Sequence, residues 1–320
     1  MYSVAIIGCG SIGSSKDDRY DSPTTDAILT HAHAFHNHPD TELIWVMDNS
    51  IASTHNASAK WNCNGFVSWH GVAKLADIYI VATPTETHHE VLMDVLKRKP
   101  KLVVAEKPFC SNIKEARSVA DAYKQAGIPL MVDYIRRFDD MHSDVLNGLR
   151  DGQYGEIYHA RCLYGRGLRH DGCHGLDLFL WALGECRGVS FHHGGIVDRS
   201  ADDPSYTVRL EFDRCKEAYM VGTDSRAWGA FEMEFVTEKG VLRFPNWGKE
   251  IRHYEPEQEQ TFGQYKSLGT TAQVTRTGLD KALLHLADNA VKHLRDGEPL
   301  RCTAEDAIRV HGVLENIGGK

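Results

Sequence analysis

Four short, continuous apolar runs punctuate the first hundred or so residues: Val4-Ala5-Ile6-Ile7, Leu43-Ile44-Trp45-Val46-Met47, Ile78-Tyr79-Ile80-Val81 and Leu102-Val103-Val104-Ala105. Apolar residues without alternation are what a strand buried on both faces requires, so these runs predict the strands of a parallel sheet. Between them the period changes to that of a helix. Val91, Leu92, Val95 and Leu96 share one face, and Ile113, Ala116, Val119, Ala120 and Tyr123 share another within a helix expected from Asn112 to Ala126. Asn112 with Glu115 supplies a capping box, and Gly127 followed by Pro129 supplies the stop. Strand and helix in alternation predict an α/β fold with helices on both faces of a doubly wound parallel sheet.

Beyond about residue 131 the pattern switches to apolar/polar alternation, as in Tyr206-Thr207-Val208-Arg209-Leu210-Glu211-Phe212 and Phe231-Glu232-Met233-Glu234-Phe235-Val236. That period marks strands with one polar face and predicts a second α/β domain built on a large, mostly antiparallel open sheet. The expected division is therefore residues 1–131 and 132–320. Trp228 and Trp247 suggest the open face as a subunit contact, although isolated surface aromatics are equally ordinary. Glu255 to Thr277 is polar and is expected to be a long loop. A helix from Leu279 to Arg295 should stop at Gly297, and Thr303 with Asp306 should cap a last helix through Val310 and Leu314.

The bulk composition narrows the partners. With 320 residues, 42% hydrophobic and 25% charged, the chain is long enough for two globular cores. A net charge of −8 and no basic run longer than Lys97-Arg98-Lys99 argue against a nucleic-acid partner. No apolar stretch is long enough to span a bilayer, and Met1 to Ile7 runs directly into a strand, so neither membrane nor secretion is expected. Eight scattered cysteines without a C-x-x-C pair predict neither a zinc site nor a disulfide framework, which suits a reducing cytoplasm.

Gly8-Cys9-Gly10-Ser11-Ile12-Gly13 directly follows the first expected strand. There the first glycine permits a tight turn, the second lets a pyrophosphate approach the backbone, and the third permits close helix packing. Free N–H groups at the helix start, including those of Ser11 and Ile12, would hold phosphate. Asp48 closes the second strand, where a carboxylate accepts ribose hydroxyls and repels a 2′-phosphate, and Asn49-Ser50-Ile51 brings no arginine. NAD is therefore expected over NADP. From Gly13 to Asp48 is 35 positions against roughly 20 in the usual fingerprint. An insertion from Ser14 to Thr25 that delays the first helix accounts for the excess. Together these features make the first domain a Rossmann nucleotide-binding domain.

Val81-Ala82-Thr83-Pro84-Thr85-Glu86-Thr87-His88, Ala105-Glu106-Lys107-Pro108, Tyr134-Ile135-Arg136-Arg137-Phe138 and His170-Asp171-Gly172-Cys173-His174 with Asp177 resemble motifs of the Gfo/Idh/MocA oxidoreductases, the family of glucose-fructose oxidoreductase and inositol dehydrogenase. The resemblance extends over nearly the whole chain. It implies that Thr83, Pro84, His88 and Glu106 stand at the cofactor, that Lys107 lies beside the nicotinamide, and that His174 is the acid/base. It also implies a sugar, sugar derivative or polyol as substrate and a homodimer or homotetramer. Oxidising a carbinol requires removal of the hydroxyl proton, which a histidine does near neutrality, and an ammonium stabilises the developing alkoxide. By spacing alone, Leu176, Phe179, Leu180 and Leu183 form a core face on one helix, with His174 and Asp177 along another edge and His170 one turn earlier.

The family's aspartate four places before the histidine is His170 here, with Asp171 one place late. Three assignments stay open: His170 takes that role, Asp171 reaches in, or activity is altered or absent. Asp171, Asp177 and Arg136 are the candidate substrate ligands, and Arg136 and Arg137 fit either an anionic substrate group or a structural ion pair. Among 18 histidines, His31, His33, His36, His38 and the pairs His88-His89 and His192-His193 invite a metal reading. His31, His33 and His36 sit among alanines with no neighbouring Cys or Glu and no H-E-x-x-H, so no metal is expected. The leading expectation is an NAD-dependent dehydrogenase acting on CH–OH groups. The second is a non-catalytic dinucleotide-binding sensor or scaffold on the same fold.

Overall fold

The structure, a computed structural model, describes residues 1–261 and 263–318, and the side chains of His192 and His193 lie outside the described residues. Contacts divide the chain into two compact units, Met1–Asp139 with Leu279–His311, and Asp140–Gly278 with the chain from Gly312 on.

The first unit runs β1 (Tyr2–Ile7), α1 (His31–Asn37), β2 (Thr41–Met47), α2 (Ile51–Trp61), β3 (Asn64–Phe66), β4 (Ile78–Val81), α3 (His88–Leu96), β5 (Leu102–Glu106), α4 (Ile113–Ala126) and β6 (Leu130–Asp133). Its six strands are parallel in the order β3-β2-β1-β4-β5-β6, the doubly wound Rossmann arrangement. Every residue of β4 and β5 is buried, as the unbroken apolar runs require. Asn112 caps α4 by accepting the Glu115 N–H at 3.0 Å while Glu115 accepts from Ser111, and Gly127 closes the helix in the left-handed region.

The first helix is delayed to His31 by residues 14–30, which form neither helix nor strand. The chain returns in register: His31 N–H donates to the Ile12 carbonyl and Ala32 N–H to that of Gly13. Asp21 within the insertion is fully buried and fixes this return, accepting from Leu29 N–H, the Thr30 hydroxyl and His33 Nδ1 at 2.7–2.9 Å. Thr30 in turn caps α1.

The second unit contains α5 (Asp140–Arg150), β7 (Ile157–Tyr164), α6 (Cys173–Leu183), β8 (Cys186–Ile196), β9 (Ser205–Phe212), β10 (Cys215–Gly222), β11 (Phe231–Thr237), β12 (Gly240–Phe244), β13 (Glu250–Tyr254), β14 (Pro256–Gln258), β15 (Lys266–Leu268) and β16 (Gln273–Arg276). Eight strands form one sheet, β16-β13-β12-β11-β7-β10-β9-β8, antiparallel except for β10 against β7. On α6, Leu176, Phe179, Leu180 and Leu183 are buried, and Phe179 meets Phe212 and Phe235 edge-on at 5.8 and 5.9 Å. Trp228 is exposed, whereas Trp247 stacks on Phe231.

Two features differ from the sequence expectation. The stretch from Glu255 to Thr277 is not all loop: β14 pairs with β15, and β16 forms an edge of the large sheet. These strands are three or four residues long and exposed, so they carry no apolar alternation to read. The chain also returns to its first unit after residue 278. There α7 (Ala282–Asp296) packs on α1, the Val132 N–H donates to Cys302, and Thr303 bridges Met131. The last helix, α8 (Ala304–Gly318), starts on the expected Thr303–Asp306 box.

Candidate functional site

The glycine turn sits at the carboxyl edge of the parallel sheet, where doubly wound folds bind ligands. Gly8 has φ +103°, and a Cβ there would meet the Ala82 carbonyl at 2.4 Å; at Gly13 it would meet the Gly8 carbonyl at 2.1 Å. Gly10 faces open space, with nothing within 4 Å of a would-be Cβ. Two glycines thus close the turn and the third leaves room for a ligand. Gly8, Gly10, Asp48, Thr83 and Pro84 line a cavity of about 520 Å³, with Val67 and Trp69 as its apolar wall. Asp48 accepts the Cys9 N–H at 2.8 Å and the Ser50 N–H at 2.9 Å. Each carboxylate oxygen keeps a lone pair for a further donor. An open glycine, a carboxylate beside it and an apolar wall fit the phosphate, ribose and adenine of a dinucleotide. Burial and the Asp48 charge push the Cys9 thiol up to about 12, so the cysteine within the turn stays neutral. Ser11 is exposed and Ile12 half-buried on the same turn.

His88 stands apart from this lining. It is fully buried, its Nε2 2.8 Å from the Thr83 carbonyl and its Nδ1 3.2 Å from that of Phe109. It ties the loop after β4 to the loop after β5. Thr87 adds a hydroxyl bond to Thr83 at 2.8 Å.

Glu106 ends β5 and Lys107 follows it, half-buried, through a cis bond to Pro108. The Glu106 carboxylate turns back on its own chain and accepts the Lys107 N–H at 3.1 Å. Its other oxygen lies 2.8 Å from His31 Nε2, and Asp133 at the end of β6 reaches the same nitrogen at 3.5 Å. The sequence offered His31 no neighbouring Cys or Glu; the fold brings Glu106 and Asp133, because strand ends far apart in the chain meet at one sheet edge. The three donor atoms lie within 4.8 Å of one another, close enough to ligate one cation. Two adjacent buried carboxylates also settle by sharing a proton. Burial and the Glu106 charge hold the Asp133 carboxyl well above its ordinary range. Glu106 is lowered against the cost of its burial by its hydrogen bond and charge interaction with His31.

Arg136 and Arg137 lie on a short 3₁₀ turn, both buried, and Arg137 pairs with Asp306 at 3.2 Å. For Arg137 the structural ion pair is the observed arrangement.

In the second unit, residues 168–172 form a π-helical turn that runs into α6. Gly172 N–H bonds the Gly167 carbonyl, five residues back, so the even four-residue step expected between His170 and His174 crosses a change of pitch. Asp203 holds the turn by accepting the Arg169 and His170 N–H groups at 2.8 and 3.0 Å. His170 Nε2 is 3.7 Å from Asp171, and Arg166 approaches the same carboxylate at 3.8 Å. Arg166 was not singled out by sequence; its φ of +62° between two glycines is visible only in the fold. His174 is half-buried, edge-on to Phe231 at 6.2 Å, while Asp177 is buried.

Comparison with known proteins adds to this geometry. Residues 2–134 match the family model described as "Oxidoreductase family, NAD-binding Rossmann fold" (GFO_IDH_MocA). A scyllo-inositol 2-dehydrogenase (NAD(+)) of Bacillus subtilis is 25% identical over 43% of this chain and 45% of its own length. An inositol 2-dehydrogenase of Rhizobium meliloti is 28% identical over 40% of this chain and 38% of its own. The chain thus matches less than half the length of either relative. The WlbA dehydrogenase from Bordetella pertussis, solved with NADH and UDP-GlcNAcA, has a TM-score of 0.78 at 17% identity, over 99% of this chain and 94% of that one. The likeness to that structure is one of fold. No helix among the described residues is long and apolar enough to cross a membrane. Residues 2–134 therefore resemble the Gfo/Idh/MocA oxidoreductases, by the family model described through its NAD-binding Rossmann fold.

Proposed function

We propose that this protein is an NAD-dependent oxidoreductase that moves a hydride between nicotinamide and a secondary alcohol or ketone carbon of a sugar, sugar derivative or polyol. The observation that carries the reading is the glycine turn, open at Gly10 and flanked by Asp48, on the sheet whose β5 ends in Glu106, with Lys107 next in the chain. Asp48, Glu90 and Asp94 line the cavity, and among the described residues none of its lining is basic. A carboxylate-lined pocket disfavours a 2′-phosphate, which supports NAD over NADP. Bound NAD supplies the hydride acceptor; the remaining chemistry belongs to the protein. Lys107 is assigned to the substrate oxygen, where its ammonium stabilises the developing alkoxide. His174 is assigned to the hydroxyl proton. His170 or Asp171 stands in for the family aspartate, Asp177 supports the His174 helix, and Arg136 is kept as a substrate-domain contact. The inositol dehydrogenases among the relatives favour a polyol. A cytoplasmic homodimer or homotetramer completes the proposal.

The test is to incubate purified protein with NAD and a panel of inositols, glucosides and uronates while following nicotinamide absorbance. Turnover of at least one polyol is expected, and Lys107→Ala should lower kcat by about 10²–10³ without changing NAD affinity. Tight NAD binding with no turnover of any compound would favour the sensor reading.

A further inference from the structure

The insertion, the delayed helix and the buried acids converge on one backbone N–H. Asp21 fixes the chain's return into α1, and α1 begins with His31. His31 Nε2 grips one Glu106 oxygen at 2.8 Å, and Asp133, register partner of Glu106 in the parallel pair, reaches the same His31 nitrogen at 3.5 Å. The remaining oxygen accepts the Lys107 N–H. His31 and Asp133 are buried to 0% and 3% exposure and Glu106 to 6%, so water does not compete for these bonds. A glutamate at a strand end ordinarily turns to solvent. This one is held from two other elements, at the carboxyl ends of β5 and β6 and the start of α1.

We propose that His31, Glu106 and Asp133 form a positioning clamp for Lys107. His31, with Asp133 at the same nitrogen, fixes the Glu106 carboxylate, the carboxylate fixes the Lys107 peptide, and the peptide sets the direction in which the ammonium projects. None of the three touches substrate; each acts through Lys107. The catalytic consequence rests on the proposed dehydrogenase reading, but the clamp itself does not.

Two measurements separate those claims. The first is amide hydrogen exchange at Lys107, which needs neither cofactor nor substrate. His31→Gln should accelerate exchange at Lys107 at least tenfold while leaving Val103 and Ala105 unchanged. Asp133→Asn, which keeps an oxygen within reach of His31 Nε2, should keep the wild-type rate where Asp133→Ala does not. Unchanged Lys107 exchange in both His31→Gln and Asp133→Ala overturns the clamp, whether or not the protein turns over any polyol.

The second is a kinetic cycle. His31→Gln should lower kcat at least tenfold, leave NAD affinity within twofold, and cost nothing further when added to Lys107→Ala, because it acts only through that side chain. Multiplicative losses overturn the proposal. Stoichiometric transition metal co-purifying with wild type and lost in His31→Gln also overturns it, making the cluster a metal site.

Discussion

At the scale of single residues, Asp48 and Asp133 put a carboxyl group to different uses. Asp48 spans the glycine turn and α2, accepting the Cys9 and Ser50 N–H groups. Asp48→Asn keeps the shape and loses the charge. It should weaken NAD about tenfold, equal to about 1.4 kcal/mol, and narrow the preference over NADP; titrating both cofactors by fluorescence checks this, and an unchanged ratio contradicts it. At Asp133, burial and the Glu106 charge raise the carboxyl well above the ordinary range. The folded chain therefore holds the carboxyl proton more tightly than the unfolded chain. The stability it contributes is complete below the usual aspartate range and drains away as pH rises through the raised value. Asp133→Asn has no proton to lose, so denaturant melts from acid to neutral pH should show the variant gaining on wild type as pH increases. Parallel curves would refute that. Glu106, lowered, carries the opposite sign: its share is present above the ordinary glutamate range and is lost on acidification. The glycines and Asp48 were legible because each is placed by strand-end sequence alone. The partners of His31 were not, since 75 residues separate it from Glu106 and no local period links them.

At the scale of elements, apolar pattern foretold what it could physically encode. β4 and β5 are buried on both faces and read as unbroken runs, and α4 carries its cap and stop in its own sequence. β3 is a polar edge strand of three residues, and β14 to β16 are short and exposed, so nothing in their composition distinguishes them from loop. The π turn before α6 was equally hidden, because it depends on Asp203, more than thirty residues away, taking two of its N–H groups. The insertion before α1 is held by polar contacts, and Asp21 is their hub. Asp21→Ala strands buried groups of Leu29, Thr30 and His33, which should cost about 1–3 kcal/mol and lower Tm by several degrees. An unchanged thermal melt would show that the insertion is tethered elsewhere, for example by Trp61 on the Ser14 carbonyl. In the second unit, Phe179→Ala opens a hole between α6, β9 and β11 and should cost about 3–5 kcal/mol in urea unfolding. A loss under 1 kcal/mol would mean that the site collapses around the deletion.

At the scale of the whole molecule, the change from unbroken to alternating apolar pattern announced two kinds of sheet, and both are there. What the pattern could not carry was the return of residues 279–311 to the first unit, because a helix's periodicity states which face is buried and not against what. That return covers β6 through Thr303 and Cys302, next to the strand end that bears Asp133. In the proposed reaction a carbinol hydrogen passes to nicotinamide on this protein. The most direct measurement supplies NAD with inositols and sugars deuterated at the carbinol carbons and analyses the recovered cofactor by mass spectrometry. One deuterium in the reduced nicotinamide, absent with Lys107→Ala, is the predicted result; saturating NAD binding with no label transferred from any of these compounds would contradict it.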